Sequence, residues 1–204
     1  MNVEFWFDPI CPFCWMTSRW LDSISDERDL DITWRPISLL FKNDLTEGQP
    51  FFESARRTRD LLRVVESVRT AGLDERIGDL YTEFGRRIHH EGVTDFDVAD
   101  ILMGLGLDPS HAEALDDESF DDAIRDGMAD GLALVGDDVG TPIIAVDGAA
   151  GRVGLFGPVI TKMPSIEAGV KLWDGFMLMV DTEGFFELKR TRTDAPDMST
   201  IDLR

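Results

Sequence analysis

Two cysteines, Cys11 and Cys14, stand with only Pro12 and Phe13 between them in the stretch FDPICPFCWMTSRW, and the chain has no others. A pair at this spacing serves as half of a zinc site, as a structural disulfide, or as a dithiol that does redox chemistry. Zinc takes about four N, S or O ligands. No second CxxC supplies the other half, and His89, His90 and His111 stand in no ligand pattern with the pair. A structural staple belongs to oxidising compartments. The opening MNVEFWFDP has neither the basic head nor the sustained apolar run of an export signal, so the protein is expected in the cytoplasm. No apolar stretch approaches the roughly 20 residues that a membrane helix needs. The redox reading leads.

A cysteine attacks as the thiolate, so its pKa must fall from a reference near 8.5. Position can do this. Val3 to Phe7 reads as a strand covered on both faces. Pro12 suits the first turn of a helix, and Trp15, Trp20, Leu21 and Ile24 give that helix a buried stripe. Cys11 then begins the helix, where unpaired N–H groups and the positive end of the macrodipole favour an anion. Cys14 lies one turn deeper, within reach of a mixed disulfide at Cys11. This assigns Cys11 as the nucleophile and Cys14 as the resolving thiol.

The rest of the chain must hold that turn in place. LDITWRPI alternates Leu30, Ile32 and Trp34 with Asp31, Thr33 and Arg35, which reads as a second strand and gives a β-α-β opening. From about Gly48 to Leu134 the apolar spacing is helical, with four or five helices and no strand. Strand signals return in TPIIAVD and GRVGLFG. A last helix is expected from Ser165 to about Met179, followed by a short ordered return and a loose tail. The expected architecture is one α/β core from 1–47 and 135–190, an all-helical insertion over 48–134, and a tail over 191–204. With 204 residues, 43% of them hydrophobic, the chain can bury a full core. Its net charge of −20 repels nucleic acid and anionic membranes, so neither is expected as a partner.

The segments FWFDPICPFCWMTSRW, GTPIIAVDG, LFGPVI and GFFELKRTRTDAP together resemble the mycothiol-dependent nitroreductases of actinobacteria, a cytosolic branch of the DsbA-like thioredoxin-fold oxidoreductases. The likeness runs from about Val3 to Pro196. It implies a thioredoxin-like fold with a helical insertion and a CxxC that cycles between dithiol and disulfide. It also implies mycothiol as the recycling thiol, with no metal and no flavin, and two-electron reduction of nitroaromatic compounds. Cys11, Pro12, Cys14, Thr141 and Pro142 match family positions, the last two as a cis-proline turn facing the dithiol; an X–Pro bond at a strand entrance allows this. Phe13 departs from the tryptophan that close relatives carry in CPWC, and offers a smaller ring without an N–H. The resemblance also points to Asn43 as a polar contact in the substrate cleft, against a plain cap or turn role. A related isomerase branch uses a serine nucleophile, which the cysteine here argues against.

Other candidates fall into place around this reading. His89 and His90, about 100° apart on a helix, read as surface or helix-end residues. Trp6 and Trp15 read as core, and Phe13 as the best substrate contact. Lys189, Arg190 and Arg192 read first as partners for the acidic body, and second as a hold for the carboxylate of a thiol cofactor. The alternatives to a nitroreductase are a protein disulfide oxidoreductase or isomerase of the DsbA family, and a non-catalytic redox-sensing module whose disulfide reshapes the helical region.

Overall fold

The computed structural model describes residues 1–149 and 151–203. β1 (Asn2–Phe7) leads into α1 (Pro12–Ser23) and the short α2 (Ser25–Arg28), then β2 (Asp31–Pro36) and the single turn α3 (Leu39–Lys42). The helical stretch follows as α4 (Phe52–Thr70), α5 (Ile77–Gly85) continued by a π-helical turn over Arg86–His90, α6 (Val98–Gly104), two 3-10 segments and α7 (Asp121–Val135). β3 (Ile143–Gly148), β4 (Gly151–Phe156) and α8 (Ile166–Val180) complete the elements up to a 3-10 turn at Met198–Thr200.

The four strands form one sheet in the order β2-β1-β3-β4. β1 runs parallel to β2 with Phe5 beside Trp34, and antiparallel to β3 with Phe5 beside Ile144. A β-α-β half is thus joined to a β-β-α half, the thioredoxin-like arrangement expected. β1 is one of the two inner strands, which explains its mostly apolar run. Val3, Phe5 and Phe7 face one way into a core shared with α1, α8 and the helical stretch, while Trp6 faces the other way among Ile37, Leu132, Ile143 and Ala145.

On the first face the α1 stripe is fully buried, each of its large apolar side chains stabilising the fold by roughly 1.5–3 kcal/mol. Trp20 Nε1 donates to Gly169 O of α8 at 3.1 Å. On the second face the cover is α7, which comes from within the 48–134 span. Gly131 lets it approach, since a Cβ there would meet the Trp6 indole at 2.6 Å. The helical stretch is therefore bound to the sheet on both sides. Arg63, almost fully buried, fixes the start of α7 to α4 through Asp121 at 2.6 and 2.9 Å.

The chain end differs from the loose tail expected. Ile201 is buried, Asp197 N–H donates to Thr161 O at 2.8 Å, and Met163 N–H donates to Thr200 Oγ1 at 3.0 Å. Ile201 and Met198 on the core, with two long-range hydrogen bonds, help dock a segment whose composition is mostly polar. Among the described residues no helix is long and apolar enough to cross a membrane.

Candidate active site

The end of β1 delivers the chain into a tight turn. Asp8 Oδ1 accepts from Ile10 N–H at 3.0 Å, the side-chain turn that an Asp before Pro favours, and Cys11 N–H donates to Asp8 O at 3.0 Å. Pro12 then opens α1 with its φ preset and no donor to lose. Cys11 is the cap residue itself, and its sulfur accepts from Cys14 N–H at 3.4 Å. No acidic residue occupies the first turn to compete with an anion there.

The two thiols, both free, sit in unlike surroundings. Cys11 keeps 7% of its surface exposed and Cys14 none. A thiolate at Cys11 is favoured first by the Cys14 thiol, then by the Thr141 hydroxyl beside it and by the Cys14 N–H, which donates to its sulfur at 3.4 Å. Against burial and the charge of Asp8, they bring its pKa down to about 7. Burial first, and then the neighbouring Cys11 sulfur, push the Cys14 pKa well above its ordinary value. Cys14 Sγ lies 3.8 Å from Trp6 O, as a neutral thiol donor would. The arrangement favours the thiolate at Cys11 and keeps Cys14 protonated beside it.

Across from the pair, the Thr141–Pro142 bond is cis, and Cys11 Sγ lies 3.9 Å from Thr141 O. Thr141 Oγ1 is buried without a protein hydrogen-bond partner, so a thiolate at Cys11 gives it an acceptor. Gly157 N–H donates to Pro142 O at 2.9 Å, and Pro158, itself cis, accepts from Thr17 Oγ1 of α1 at 2.8 Å. Phe13 is half-buried, and the Arg192 guanidinium lies 5.0 Å from its ring centroid. Asn43 is the C-cap of α3 and exposed, its N–H bonded to Leu39 O at 3.2 Å; the structure gives its side chain no hydrogen bond.

Two groups at the site escaped the sequence reading. Asp8 is fully buried, and besides Ile10 N–H it takes Leu39 N–H on Oδ2 at 2.7 Å, tying the β1–α1 turn to the start of α3. Burial pushes its pKa up to about 6. The Asp–Pro pair at the strand end marked the turn, but its second partner lies 31 residues away. The other group is the histidine pair. His89 and His90 are at a helix end as expected, yet both converge on Trp15: His89 stacks at 5.8 Å and 22°, and His90 meets it edge-on at 5.9 Å. An indole is wide enough to meet two adjacent side chains 100° apart. Trp15 Nε1 donates to His90 Nε2 at 2.9 Å, and His89 Nε2 lies 2.8 Å from Pro9 O. Burial lowers the pKa of His89 to about 4, so its ring is neutral and holds the turn as an N–H donor. Trp6 and Trp15 are core, as their elements required.

Solved structures carry the same fold. The cytosolic disulfide reductase DsbM from Pseudomonas aeruginosa superposes with a TM-score of 0.58 at 16% identity, covering 88% of this chain and 100% of that one. A 2-hydroxychromene-2-carboxylate isomerase superposes at 0.59 and 16%, covering 88% and 94%. In sequence, the uncharacterised protein Rv2286c of Mycobacterium tuberculosis is 29% identical over 200 residues, 95% of this chain and 84% of that protein. The family model described as Rv2466c-like, mycothiol-dependent nitroreductase Rv2466c, matches residues 10–190. That span takes in both cysteines, the cis-Pro142 turn and the helical stretch between them, so the chain belongs to the Rv2466c-like family of mycothiol-dependent nitroreductases.

Proposed function

We propose that this chain is a cytosolic dithiol–disulfide oxidoreductase that works through Cys11 and Cys14, reduces nitroaromatic compounds, and is recycled by mycothiol. The observation that carries the reading is the unequal ionisation of two adjacent thiols: Cys11 near pKa 7 at a helix start beside Thr141 and cis-Pro142, and Cys14 held protonated beneath it. On a disulfide, the Cys11 thiolate attacks one sulfur and expels the other as a thiolate. Cys14 then loses its proton and attacks Cys11 Sγ, releasing the second thiolate. On a nitro group, the dithiol gives two electrons and two protons, leaving a nitroso group, water and the Cys11–Cys14 disulfide. Two mycothiol molecules restore the dithiol and leave as their own disulfide. In this reading Phe13, Pro12, Thr141 and Pro142 meet the substrate beside Cys11, and Asn43, exposed at the C-cap of α3, is the assigned polar contact.

The test joins titration to turnover. Alkylation of Cys11 should rise with pH to half its plateau near pH 7, since only the thiolate reacts and it predominates above its pKa. Cys11→Ser should abolish nitroaromatic reduction, and Cys14→Ser should accumulate mycothiol on Cys11. Turnover that survives Cys11→Ser would sink the reading. A second reading, the redox-sensing module, draws on the bond from His89 to Pro9, which links the dithiol turn to the helical stretch. It expects a change in protease sensitivity around α5 on oxidation, without turnover.

A further inference from the structure

The segment between α8 and the docked chain end carries three cations past the dithiol, and they do not serve the acidic body as charge alone would suggest. Among the described residues Lys189, Arg190 and Arg192 make no ion pair, whereas every other arginine except Arg125 has a carboxylate within reach. Arg125 is covered instead by the Phe41 ring at 3.6 Å. In a chain of net charge −20, three cations within four residues that make no ion pair among the described residues are a local exception.

Arg192 has its place fixed from two sides. Its guanidinium lies over the Phe13 ring, which stands between the cysteines in sequence, and the irregular segment that carries it is held five residues on by Asp197 N–H to Thr161 O at 2.8 Å. The loop bearing Thr161 follows Pro158, which α1 holds through Thr17 Oγ1. A guanidinium stacked on a ring is positioned by its face, while its N–H donors point from its edge and stay available to an anion. Phe186 and Leu188, 88% and 82% exposed, add uncovered apolar surface to the same segment.

We propose that Arg192 on Phe13, with Lys189 and Arg190 just before it in sequence, forms an anion subsite at the rim of the dithiol. It selects substrates that carry a carboxylate on the aromatic ring next to the reacting group. This rests on the oxidoreductase reading of Cys11 and Cys14. The phenylalanine that replaces the family's tryptophan is then the platform for the guanidinium. With 5,5′-dithiobis(2-nitrobenzoate), Arg192 takes one carboxylate while the Cys11 thiolate attacks the adjacent sulfur and expels one nitrothiobenzoate. Cys14 gives up its proton to solvent and expels the second, and the two electrons come from the dithiol.

The experiment uses prereduced protein in single turnover with two aromatic disulfides, the dianionic 5,5′-dithiobis(2-nitrobenzoate) and the uncharged 2,2′-dithiodipyridine, on wild type, Arg192→Ala, Arg192→Lys and K189A/R190A/R192A. Arg192→Ala should slow the dianion about tenfold, the worth of one charge-assisted contact, and change the neutral disulfide less than about twofold. Arg192→Lys should fall between, and added salt should narrow the wild-type preference. Equal slowing of both disulfides, or of neither, overturns the subsite. Calorimetric binding of 4-nitrobenzoate to wild type and Arg192→Ala separates the two claims. If neither disulfide oxidises the wild type, the oxidoreductase reading fails, and weaker binding by the variant still supports the subsite, while equal binding overturns it.

Discussion

The two faces of β1 are built to different ends. One, with Val3, Phe5 and Phe7, belongs to a core that runs through α1, α8 and the helical stretch and reaches the dithiol. There the carboxylate of Asp8 is fully buried and tied to the turn that leads to Cys11. The other, with Glu4 and Trp6, is closed by α7 and rimmed by exchangeable charges: Arg152 bridges Glu4 and Asp130, and Arg35 reaches Glu4 at 2.9 Å. The same strand thus supplies stability on both sides but chemistry on one. Perturbations of matched size should separate thiol reactivity from stability according to the face they strike.

The largest effect should come from filling the two glycine contacts. A Cβ at Gly85 would meet the Trp15 ring at 2.2 Å, and one at Gly131 the Trp6 indole at 2.6 Å. Gly85→Val and Gly131→Val should each cost about 3 kcal/mol in denaturant unfolding. Only Gly85→Val should also slow Cys11 alkylation, because Trp15 lies against the histidines that hold the turn. Equal kinetics in the two variants would erase the distinction between the faces.

Next comes Asp8. Its pKa is raised from 3.8 to about 6, so the fold prefers the neutral acid. That contribution is fully present below about pH 3.8 and is lost as pH rises through about 6. The stability of wild type relative to Asp8→Ala should therefore fall by up to about 3 kcal/mol between pH ~4 and pH ~7. Removing the charge should also lower the pKa of Cys11 below about 7, since Asp8 opposes the thiolate. A pH-independent difference would contradict the buried acid.

Trp15→Phe and Trp6→Phe make a smaller, matched pair. Each removes one indole hydrogen bond, to His90 Nε2 at 2.9 Å or to Gly127 O at 2.8 Å, and should cost about 1 kcal/mol beyond the lost ring area. Thiol kinetics should shift in the first and stay put in the second. Glu4→Gln should do least, under about 1 kcal/mol and less in high salt, with alkylation unchanged.

What the sequence made legible was local. The strand-to-helix turn at Pro12, the apolar run of β1, the Ser165 cap of α8 and the strand signals after Pro142 all depend on residues within a few positions of one another. The roles proposed for the cysteines rest on that turn. What stayed hidden depends on partners far along the chain. Asp8 finds Leu39, Trp15 finds His90 at a separation of 75 residues, and Arg192 finds Phe13 near the opposite end. Charge counting assigned Arg192 to the acidic body because composition carries no directions. The role of α7 was misjudged similarly: its helical period was plain, but period alone does not say that the surface it covers is a sheet.

The Asp8 carboxylate takes one hydrogen bond from the turn that presents Cys11 and another from the start of α3. The loops at the ends of the two parallel strands are therefore one mechanical unit. In a saturation scan scored on thiol reactivity, Ile37, Ser38 and Leu39 would show the intolerance of active-site positions although none touches a substrate. The support of the dithiol turn thus lies on two separated islands of sequence, and a redesign that grafted only the CPFC turn would leave its anchor at α3 behind.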